Sequence, residues 1–236
     1  MKIIRKRNIL PKTDYSPVFD ISFGISQFDK TKTKIIKKFL LDKEKYIIEN
    51  FPSTHSGGTD VSSDSITNRF GSYNLFDFNE ECTELKDFFK FLQESYLKFV
   101  ILDGHEIIDI DIVCWFNVVR KGQDISAHHH SAGNYSEGYL SGNVHLDEYK
   151  TITKYYCPYD IQVLYGFANV RGGLTIFPSW MLHGTDIHNE DIERVSIAFD
   201  LRPTSLNQDQ VKKLNGVEFI RKDKIKKYII WIYFNQ

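Results

Sequence analysis

The histidines of this sequence are concentrated where they could bind a metal ion. Six of the eight lie between residues 128 and 188, and three of them are consecutive. On an extended strand successive side chains point to opposite faces, so His128 and His130 share one face and can chelate one ion, while His129 points away. His183, which follows His128 by 55 residues, is the third candidate ligand. The alternative is an exposed polar run, although histidines that follow an apolar strand are costly to bury without partners.

A second group of residues could bind a carboxylate. Arg194 and Ser196 alternate on the apolar stretch ERVSIAFDL and therefore share a face of a strand. A buried arginine needs an anion, and its guanidinium offers two parallel donors to the two oxygens of a carboxylate, to which the serine could add a third. The alternative is a strand-edge arginine that pairs with an aspartate or glutamate of the chain.

The pattern of apolar residues predicts helices in the first half of the chain and strands in the second. Apolar side chains recur near every 3.6 residues over about 29–50 and 79–99, and Asp29 or Thr31 could cap the first helix. Strands are predicted at about 18–23, 107–119, 139–147, 161–169, 173–178 and 193–201. Short strands separated by turns are typical of an antiparallel sandwich or barrel.

Two segments have no regular pattern that fixes their role. Residues 52–74 are rich in Gly, Ser and Thr and are predicted to be a long loop, either a lid over a substrate or a plain surface connection. The Lys-rich stretch 211–227 and the apolar stretch 228–234 end the chain. They are predicted as a last strand or helix among solvated lysines, or as an edge that binds a partner or forms a homodimer.

The composition fits one globular unit. The 236 residues predict a single domain with a support region 1–105, a β core 106–203 and a C-terminal extension 204–236. The 30 basic and 31 acidic residues nearly balance, which indicates neither nucleic acid nor an anionic membrane as a partner. Three distant cysteines without a CxxC pair suit a reducing compartment, and the N-terminus lacks the apolar core of a signal peptide. No apolar run reaches about 18 residues, so we expect a cytoplasmic protein without a membrane span.

Five ordered motifs together resemble the Fe(II)/2-oxoglutarate oxygenases, most closely a group of bacterial and phage 2OG-Fe(II) oxygenases. Over residues 110–201 they read Trp115-Phe-Asn117, His128-His-His130, Ser141-Gly-Asn-Val-His145-Leu, Phe177-Pro-Ser-Trp180-Met-Leu-His183 and Arg194-Val-Ser196-Ile-Ala-Phe199. The patterns of that group are W-x-N, H-x-H, S-G-x-x-Y-L, F-P-S-W-x-x-H and R-x-S-x-x-F. The resemblance implies a mainly β fold with flanking helices, in which a double-stranded β-helix (a cupin-like jelly roll) is preceded by N-terminal helices.

The resemblance also implies a set of cofactors and a reaction. Fe(II) would be bound by histidines and would keep positions open for O₂ and for the 1-carboxylate and keto oxygen of 2-oxoglutarate. The far carboxylate of 2-oxoglutarate would pair with Arg194 and Ser196. His145, which stands where the group has a tyrosine, would assist them, and Asn117 would contact the cosubstrate near iron. The implied reaction hydroxylates a substrate C–H bond and releases succinate and CO₂.

The ligand set departs from the usual pattern of this superfamily. The common triad is His-x-Asp/Glu with a distal His, and here His130 stands in place of the carboxylate. The implied ligands are therefore His128, His130 and His183. If His130 is instead the first ligand, Ala132 follows at the carboxylate position, which resembles the iron halogenases.

Carboxylates elsewhere are alternative ligands. His145-Leu-Asp147 matches the usual formula literally, but His145 lies only 38 residues before His183, and it occupies the tyrosine position of the related motif. Asp124 and Glu137 flank the consecutive histidines, and either of them is a further alternative.

The substrate side is predicted from loops. Residues 52–74 and 131–139 would line the mouth of the jelly roll, and four side chains would contact a small-molecule or peptide substrate: Arg69, Tyr135, Tyr139 and Trp180. Other functions remain open: a three-His or cupin-like dioxygenase that needs no 2-oxoglutarate, and a jelly roll that binds metal without catalysis. Arg194 separates these alternatives, because without a cosubstrate carboxylate it would lack its anion.

Overall fold

The computed structural model describes residues 1–53, 65–130, 138–159, 162–204 and 217–221. In this part of the chain the helices are α1 (Lys30–Asn50) and α2 (Thr83–Asp103), and two 3₁₀ turns, Ile66–Arg69 and Leu75–Phe78, lie between them. The strands are β1 (Lys2–Asn8), β2 (Phe19–Gln27), β3 (Ile110–Val119), β4 (Leu140–His145), β5 (Ile152–Tyr156), β6 (Val163–Ala168), β7 (Gly173–Pro178), β8 (His183–Thr185), β9 (Arg194–Pro203) and β10 (Val217–Ile220).

The strands form two antiparallel sheets that face each other. The larger sheet has the order β1-β2-β7-β4-β9-β3-β10, and the smaller has the order β6-β5-β8. A backbone bridge between His128 and His183 adds the segment before His128 to the other edge of β8. From β3 onward the chain passes back and forth between the two sheets, which is the winding of a double-stranded β-helix. The mainly β fold with preceding helices is therefore the predicted one.

The two helices cover the outer face of the large sheet. The carboxylate of Asp29 accepts hydrogen bonds from the backbone N–H groups of Thr31 and Lys32 and so begins α1. The second helix ends at Gly104, whose φ of 82° lies in the left-handed region that glycine adopts without strain. Apolar side chains of both helices and of the outer strand faces form one core. Neither α1 nor α2 is both long and apolar enough to cross a membrane.

Alternation along β3 divides its side chains between two environments. Phe116 faces the helical layer, where its ring centroid lies 6.3 Å from that of Tyr73. Trp115 faces the space between the sheets, and its ring centroid lies 5.6 Å from that of His130. The strand register extends this inner face across the sheet, since Asn117 pairs with Ser196 on β9. The outer face is thus an apolar core, and the inner face carries the polar side chains.

Several boundaries differ from the predicted ones for local reasons. The second helix begins at Thr83 rather than at residue 79, because Leu75–Phe78 form a separate turn that buries its own apolar side chains. Strands β1, β5, β8 and β10 were not predicted. Strand β8 has only three residues, too few for a period to show, and β1 alternates with lysines and arginines on a sheet edge. Residues 54–64 of the predicted loop and the stretch 228–234 lie outside the described residues.

We expect Gly142→Ala to lower the free energy of unfolding by about 1–3 kcal/mol, which is the usual cost of overpacking a core. Gly142 lies in β4 between β7 and β9, and a Cβ atom there would stand 2.4 Å from Cζ of Phe199 and 2.6 Å from the carbonyl oxygen of Thr175. The control is Gly166→Ala on the edge strand β6, where a Cβ atom would meet only the tip of Ile152, at 3.1 Å. Urea unfolding followed by fluorescence measures both variants, and equal stabilities would contradict the expectation.

Candidate metal centre and carboxylate pocket

Three histidines meet between the two sheets. One ring nitrogen of each of His128, His130 and His183 lies within 4.8 Å of those of the other two. The Nε2 atoms of His128 and His130 are 3.1 Å apart. Within the described ranges, no carboxylate or cysteine joins this cluster. The fold therefore brings together the three side chains that the sequence singled out as ligands.

Backbone hydrogen bonds hold the two histidine-bearing segments side by side. The N–H of each of His128 and His183 donates to the carbonyl oxygen of the other, at 2.9 Å in both cases, and the N–H of His130 donates to the carbonyl oxygen of Ser179 at 2.8 Å. Gly184 permits this approach, because a Cβ atom there would lie 2.9 Å from the carbonyl oxygen of Ile125. The ligand positions are thus set by the main chain rather than by mobile side chains.

Each cluster histidine contacts, through its Nδ1 atom, an oxygen that accepts hydrogen bonds. The acceptors are the carbonyl oxygen of Ser126 for His128 (2.8 Å), the carbonyl oxygen of Met181 for His183 (2.9 Å) and Oδ1 of Asp200 for His130 (2.6 Å). Because carbonyl and carboxylate oxygens accept, we assign the ring proton to Nδ1 in all three histidines. The three Nε2 atoms then present lone pairs to one another.

This arrangement fits a bound divalent metal ion. Two unprotonated Nε2 atoms at 3.1 Å repel each other, because neither of them has a proton to share. Imidazole nitrogens bind metal ions at about 2.0–2.1 Å, so two such ligands at right angles stand about 3 Å apart. Imidazole ligands suit iron, zinc, copper and nickel alike, which makes Fe(II) one of several ions that the donor set can hold.

Burial favours the neutral, metal-binding form of two of the cluster histidines, His128 and His183. Burial, reinforced by the neighbouring His130, lowers the pKa of His128 to about 4. Burial likewise lowers the pKa of His183 well below its ordinary value. Part of the enclosure is aromatic, since the ring centroid of Phe177 lies 4.7 Å from that of His183.

A buried arginine lies beside the histidine cluster. Arg194 is only 1% exposed, and its guanidinium donates to the hydroxyl of Thr185 at 2.7 Å and to the carbonyl oxygen of Asp186 at 3.2 Å. The carboxylate of Asp186 is engaged by Lys154, and Arg194 forms no ion pair with any residue that the structure describes. Burial lowers the pKa of Arg194 to about 10, so the group is still a cation at neutral pH. A buried cation that forms no ion pair with a described residue is suited to bind an anion.

Polar side chains of the neighbouring strands complete this carboxylate pocket. Ser196 pairs in register with Asn117 on one side and with His145 on the other, so the three lie in a row across the inner face. His145 is buried, and its Nδ1 atom has no hydrogen-bond partner. Burial, and then the nearby charge of Arg194, lowers the pKa of His145 to about 3. The pocket thus holds one cation and an unpaired polar atom next to it.

The metal cluster and the carboxylate pocket are close enough to share one small ligand. Thr185, which binds the guanidinium of Arg194, follows His183 by two residues on β8. Two residues of a strand span about 7 Å. A short dicarboxylic acid can therefore reach from the histidine cluster to the arginine.

The alternative carboxylate ligands that the structure describes, Asp147 and Asp124, are not assembled with the histidines. Asp147 is engaged by Arg171 and Lys37, and His145 lies outside the cluster, so the literal His-x-Asp motif does not form a metal site here. Asp124 is likewise absent from the cluster. Glu137 and Ala132 lie outside the described residues.

Two of the predicted substrate contacts have another place in the structure. Arg69 is buried and donates to the carbonyl oxygens of Phe51 and Ser65, so it ties two chain segments together. The hydroxyl of Tyr139 lies 2.9 Å from that of Tyr96 on α2, which makes it part of the packing between sheet and helix. Both side chains are used within the chain, and sequence reasoning had no means of identifying these partners.

The other two predicted substrate contacts, Trp180 and Tyr135, stay predictions, as do Arg69 and Tyr139. Trp180 is half-buried and lines a cavity of about 790 Å³ that also includes His129, Tyr159 and Asp20. This cavity borders the segment that carries the cluster histidines. Tyr135 lies outside the described residues.

Asp200 is the residue of this site that sequence reasoning missed. It lies at the buried end of β9, accepts from Nδ1 of His130 at 2.6 Å and accepts from the hydroxyl of Ser141 at 2.7 Å. Burial would raise the pKa of its carboxyl, but the interactions with His130, Arg202 and Ser141 together lower it. Strand alternation was a usable signal, because Asp200 shares a face with Arg194 and Ser196.

Comparison with known proteins supports this assignment of the fold and of its central segment. Residues 113–200 match the model of a family described as "Putative 2OG-Fe(II) oxygenase". The matched span contains all three cluster histidines and both Arg194 and Ser196. The resemblance to the Fe(II)/2-oxoglutarate oxygenases is thereby confirmed. A search of curated proteins finds no match.

Solved structures share the fold at low sequence identity. A Pseudomonas putida prolyl-4-hydroxylase is 13% identical, with a TM-score of 0.52 over 76% of this chain and 92% of that chain. HygX from Streptomyces hygroscopicus, solved with nickel and 2-oxoglutarate bound, is 11% identical, with a TM-score of 0.51 over 77% of this chain and 82% of that chain. At these identities the similarity concerns the fold alone, and the predicted double-stranded β-helix is confirmed.

We expect the free energy of unfolding of the metal-free protein to fall as the pH is lowered from about 6.5 to about 4. Histidines of the unfolded chain protonate near 6.5, whereas His128 and His145 stay neutral in the folded protein down to about 4 and about 3. The unfolded state then binds more protons than the folded state, and each such group contributes about 1.4 kcal/mol per pH unit. Urea unfolding at a series of pH values measures the slope. His145→Gln should reduce it, and a flat profile over this range would contradict the expectation.

Proposed function

We propose that this chain, whose residues 113–200 match the 2OG-Fe(II) oxygenase family, is an Fe(II)- and 2-oxoglutarate-dependent dioxygenase. The proposed reaction hydroxylates a C–H bond of a small-molecule or peptide substrate and releases succinate and CO₂. The proposed iron ligands are His128, His130 and His183. Arg194 and Ser196 bind the far carboxylate of 2-oxoglutarate, assisted by His145, and Asn117 contacts the cosubstrate near the ion.

The observation that carries this proposal is the buried cation next to the histidine cluster. Arg194 is fully enclosed, and no carboxylate of the described chain pairs with it. Thr185 connects it to the strand that carries His183. A dicarboxylic acid with a chelating end can bind a metal ion at the histidine cluster and pair its other carboxylate with Arg194 at the same time. A metal site that needed no cosubstrate would leave this charge unexplained.

Within this proposal the chain binds and orients, and the cofactors carry the chemistry. When bound, Fe(II) supplies the electrons and open coordination positions for the reaction between O₂ and 2-oxoglutarate. The chain fixes the Nδ1–H tautomers through Ser126, Met181 and Asp200, so that each Nε2 atom faces the ion. The rings of Phe177 and Trp115 line the cluster and limit the access of water.

For the substrate, the proposal names only a chemical class. The similar P. putida protein is named a prolyl-4-hydroxylase, and this name supports a peptide as one candidate substrate class. The cavity lined by Trp180 borders the ligand-bearing segment and is the candidate entrance for the substrate. Cytoplasmic location, a single domain and homodimer formation stay predictions. Three free cysteines agree with a reducing compartment.

The first experiment is an anaerobic titration of the metal-free protein with Fe(II) and then with 2-oxoglutarate, followed by visible absorbance. Chelation of a keto acid to Fe(II) should produce a charge-transfer band that requires both additions. Exposure to O₂ should then release succinate. If iron binds and no band forms, a three-His dioxygenase without 2-oxoglutarate replaces the proposal. If no iron binds, the similarity to the oxygenases is one of fold only.

We expect Arg194→Met to raise the dissociation constant of 2-oxoglutarate at least 30-fold, since losing one partner of a buried charge pair costs about 2–5 kcal/mol. Calorimetry on the metal-loaded protein measures this constant. Arg120→Met is the matched control, because Arg120 pairs with Glu44 on the surface. Arg194 also holds Thr185, so Ser196→Ala serves as a milder variant, with an expected loss of about tenfold or more. Unchanged affinity in both site variants would remove the carboxylate assignment.

A further inference from the structure

The three-histidine cluster lacks the negative charge that the usual ligand set provides. Two histidines and one carboxylate bind iron in the common triad, and the carboxylate offsets part of the charge of the ion. In this chain His130 stands at the position of that carboxylate, and all three candidate ligands are imidazoles, which carry no negative charge. A divalent ion would therefore enter a buried site in which no ligand of the described chain is anionic.

A carboxylate lies directly behind the histidine that replaces it. Asp200 is only 7% exposed, and its Oδ1 atom lies 2.6 Å from Nδ1 of His130, on the opposite side of the ring from Nε2. The hydroxyl of Ser141 donates to the same oxygen at 2.7 Å, and Arg202 lies 3.4 Å from the other oxygen. The carboxylate is thus fixed in place and aimed at His130.

The other two histidines have no such charged partner. His128 and His183 donate from Nδ1 to the backbone carbonyl oxygens of Ser126 and Met181. A carbonyl oxygen fixes the tautomer and the ring orientation, but it brings no net charge. The asymmetry singles out the histidine at the usual carboxylate position.

We propose that Asp200 is the positioning carboxylate of the metal centre. It orients His130 and fixes the Nδ1–H tautomer of that ring. It also supplies the negative charge that the three-His ligand set lacks, although it contacts the ligand His130 and not the ion itself. A carboxylate that accepts from Nδ1–H makes the opposite nitrogen a stronger donor to a metal. This inference rests on the proposed metal site, and its test measures metal affinity rather than turnover.

The test titrates metal-free protein with Co(II), which tolerates air, and follows the binding by calorimetry and visible absorbance. Asp200→Asn keeps the size and an accepting oxygen but removes the charge. We expect its affinity for Co(II) to fall about 10- to 100-fold, as for other partners of metal-bound histidines. The matched control is Asp147→Asn, which removes the carboxylate of the literal His-x-Asp motif and should leave the affinity unchanged.

A double-variant cycle separates this role from a structural one. If Asp200 acts through His130, Asp200→Asn should have little further effect on Co(II) affinity in a His130→Ala background. Equal losses in both backgrounds would overturn the proposal. The proposal would also be overturned if the Co(II) affinity of Asp200→Asn were within about twofold of the wild-type affinity, because such comparisons resolve little less than a twofold difference.

A second pair of variants covers the case in which Asp200→Asn does not fold. Asp200→Glu and Asp200→Gln match each other in size and differ in charge, so the glutamate variant should bind Co(II) at least tenfold more tightly than the glutamine variant. Equal affinities in this pair would overturn the charge role. If the wild type itself binds no Co(II) or Fe(II), the metal site of the proposed function fails, and this result is distinct from a failure of Asp200 alone.

Discussion

The register of β9 is the constraint on which the site depends. This strand pairs along its length with β3 on one side and with β4 on the other. Its alternation places Arg194, Ser196 and Asp200 between the sheets, and it places Val195 and Phe199 in the apolar core under the helices. A slip of one residue would exchange the two sets and would put a guanidinium into the apolar core. Apolar packing on one face of the sheet therefore fixes the polar groups on the other.

The space between the sheets holds an apolar cluster around Phe23, Tyr155 and Phe177 and also polar groups that are only partly hydrogen-bonded. Nδ1 of His145 and Oδ1 of Asn143 are buried without a hydrogen-bond partner, and Arg194 has no ion pair among the described residues. A folded protein rarely leaves such groups unpaired, because each of them loses its hydration without compensation. His145 lies close enough to Arg194 for that charge to lower its pKa, and a polar atom without a partner next to a cation is suited to bind a polar ligand.

Local patterns allowed much of the fold to be predicted from the sequence. The 3.6-residue and two-residue periods located both helices and the main strands. The motifs identified the three cluster histidines and Arg194 before any contact was known. The helices, strands and motifs could be predicted because each depends on residues that are close to one another in the sequence.

The remainder depends on contacts between distant segments. Strand β8 has three residues and exists because its partners β5 and the His128 segment hold it. Asp200 follows no recognised motif, and its role emerges only when β9 lies against the segment that carries His130. Arg69 and Tyr139 are predicted substrate contacts, and their partners within the chain, Ser65 and Tyr96, are set by tertiary packing.

The mutual hydrogen bonds of His128 and His183 join two points that are 55 residues apart in the chain. An ion bound by both side chains closes this long loop a second time, as a removable cross-link. The loop is closed in the folded state and open in the unfolded state, so only the unfolded chain has the entropy of the open loop. An ion that binds tightly to the folded state alone adds further to the free energy of unfolding. At the proposed metal site, a higher concentration of free metal would consequently raise the stability of the folded chain whether or not a substrate is present.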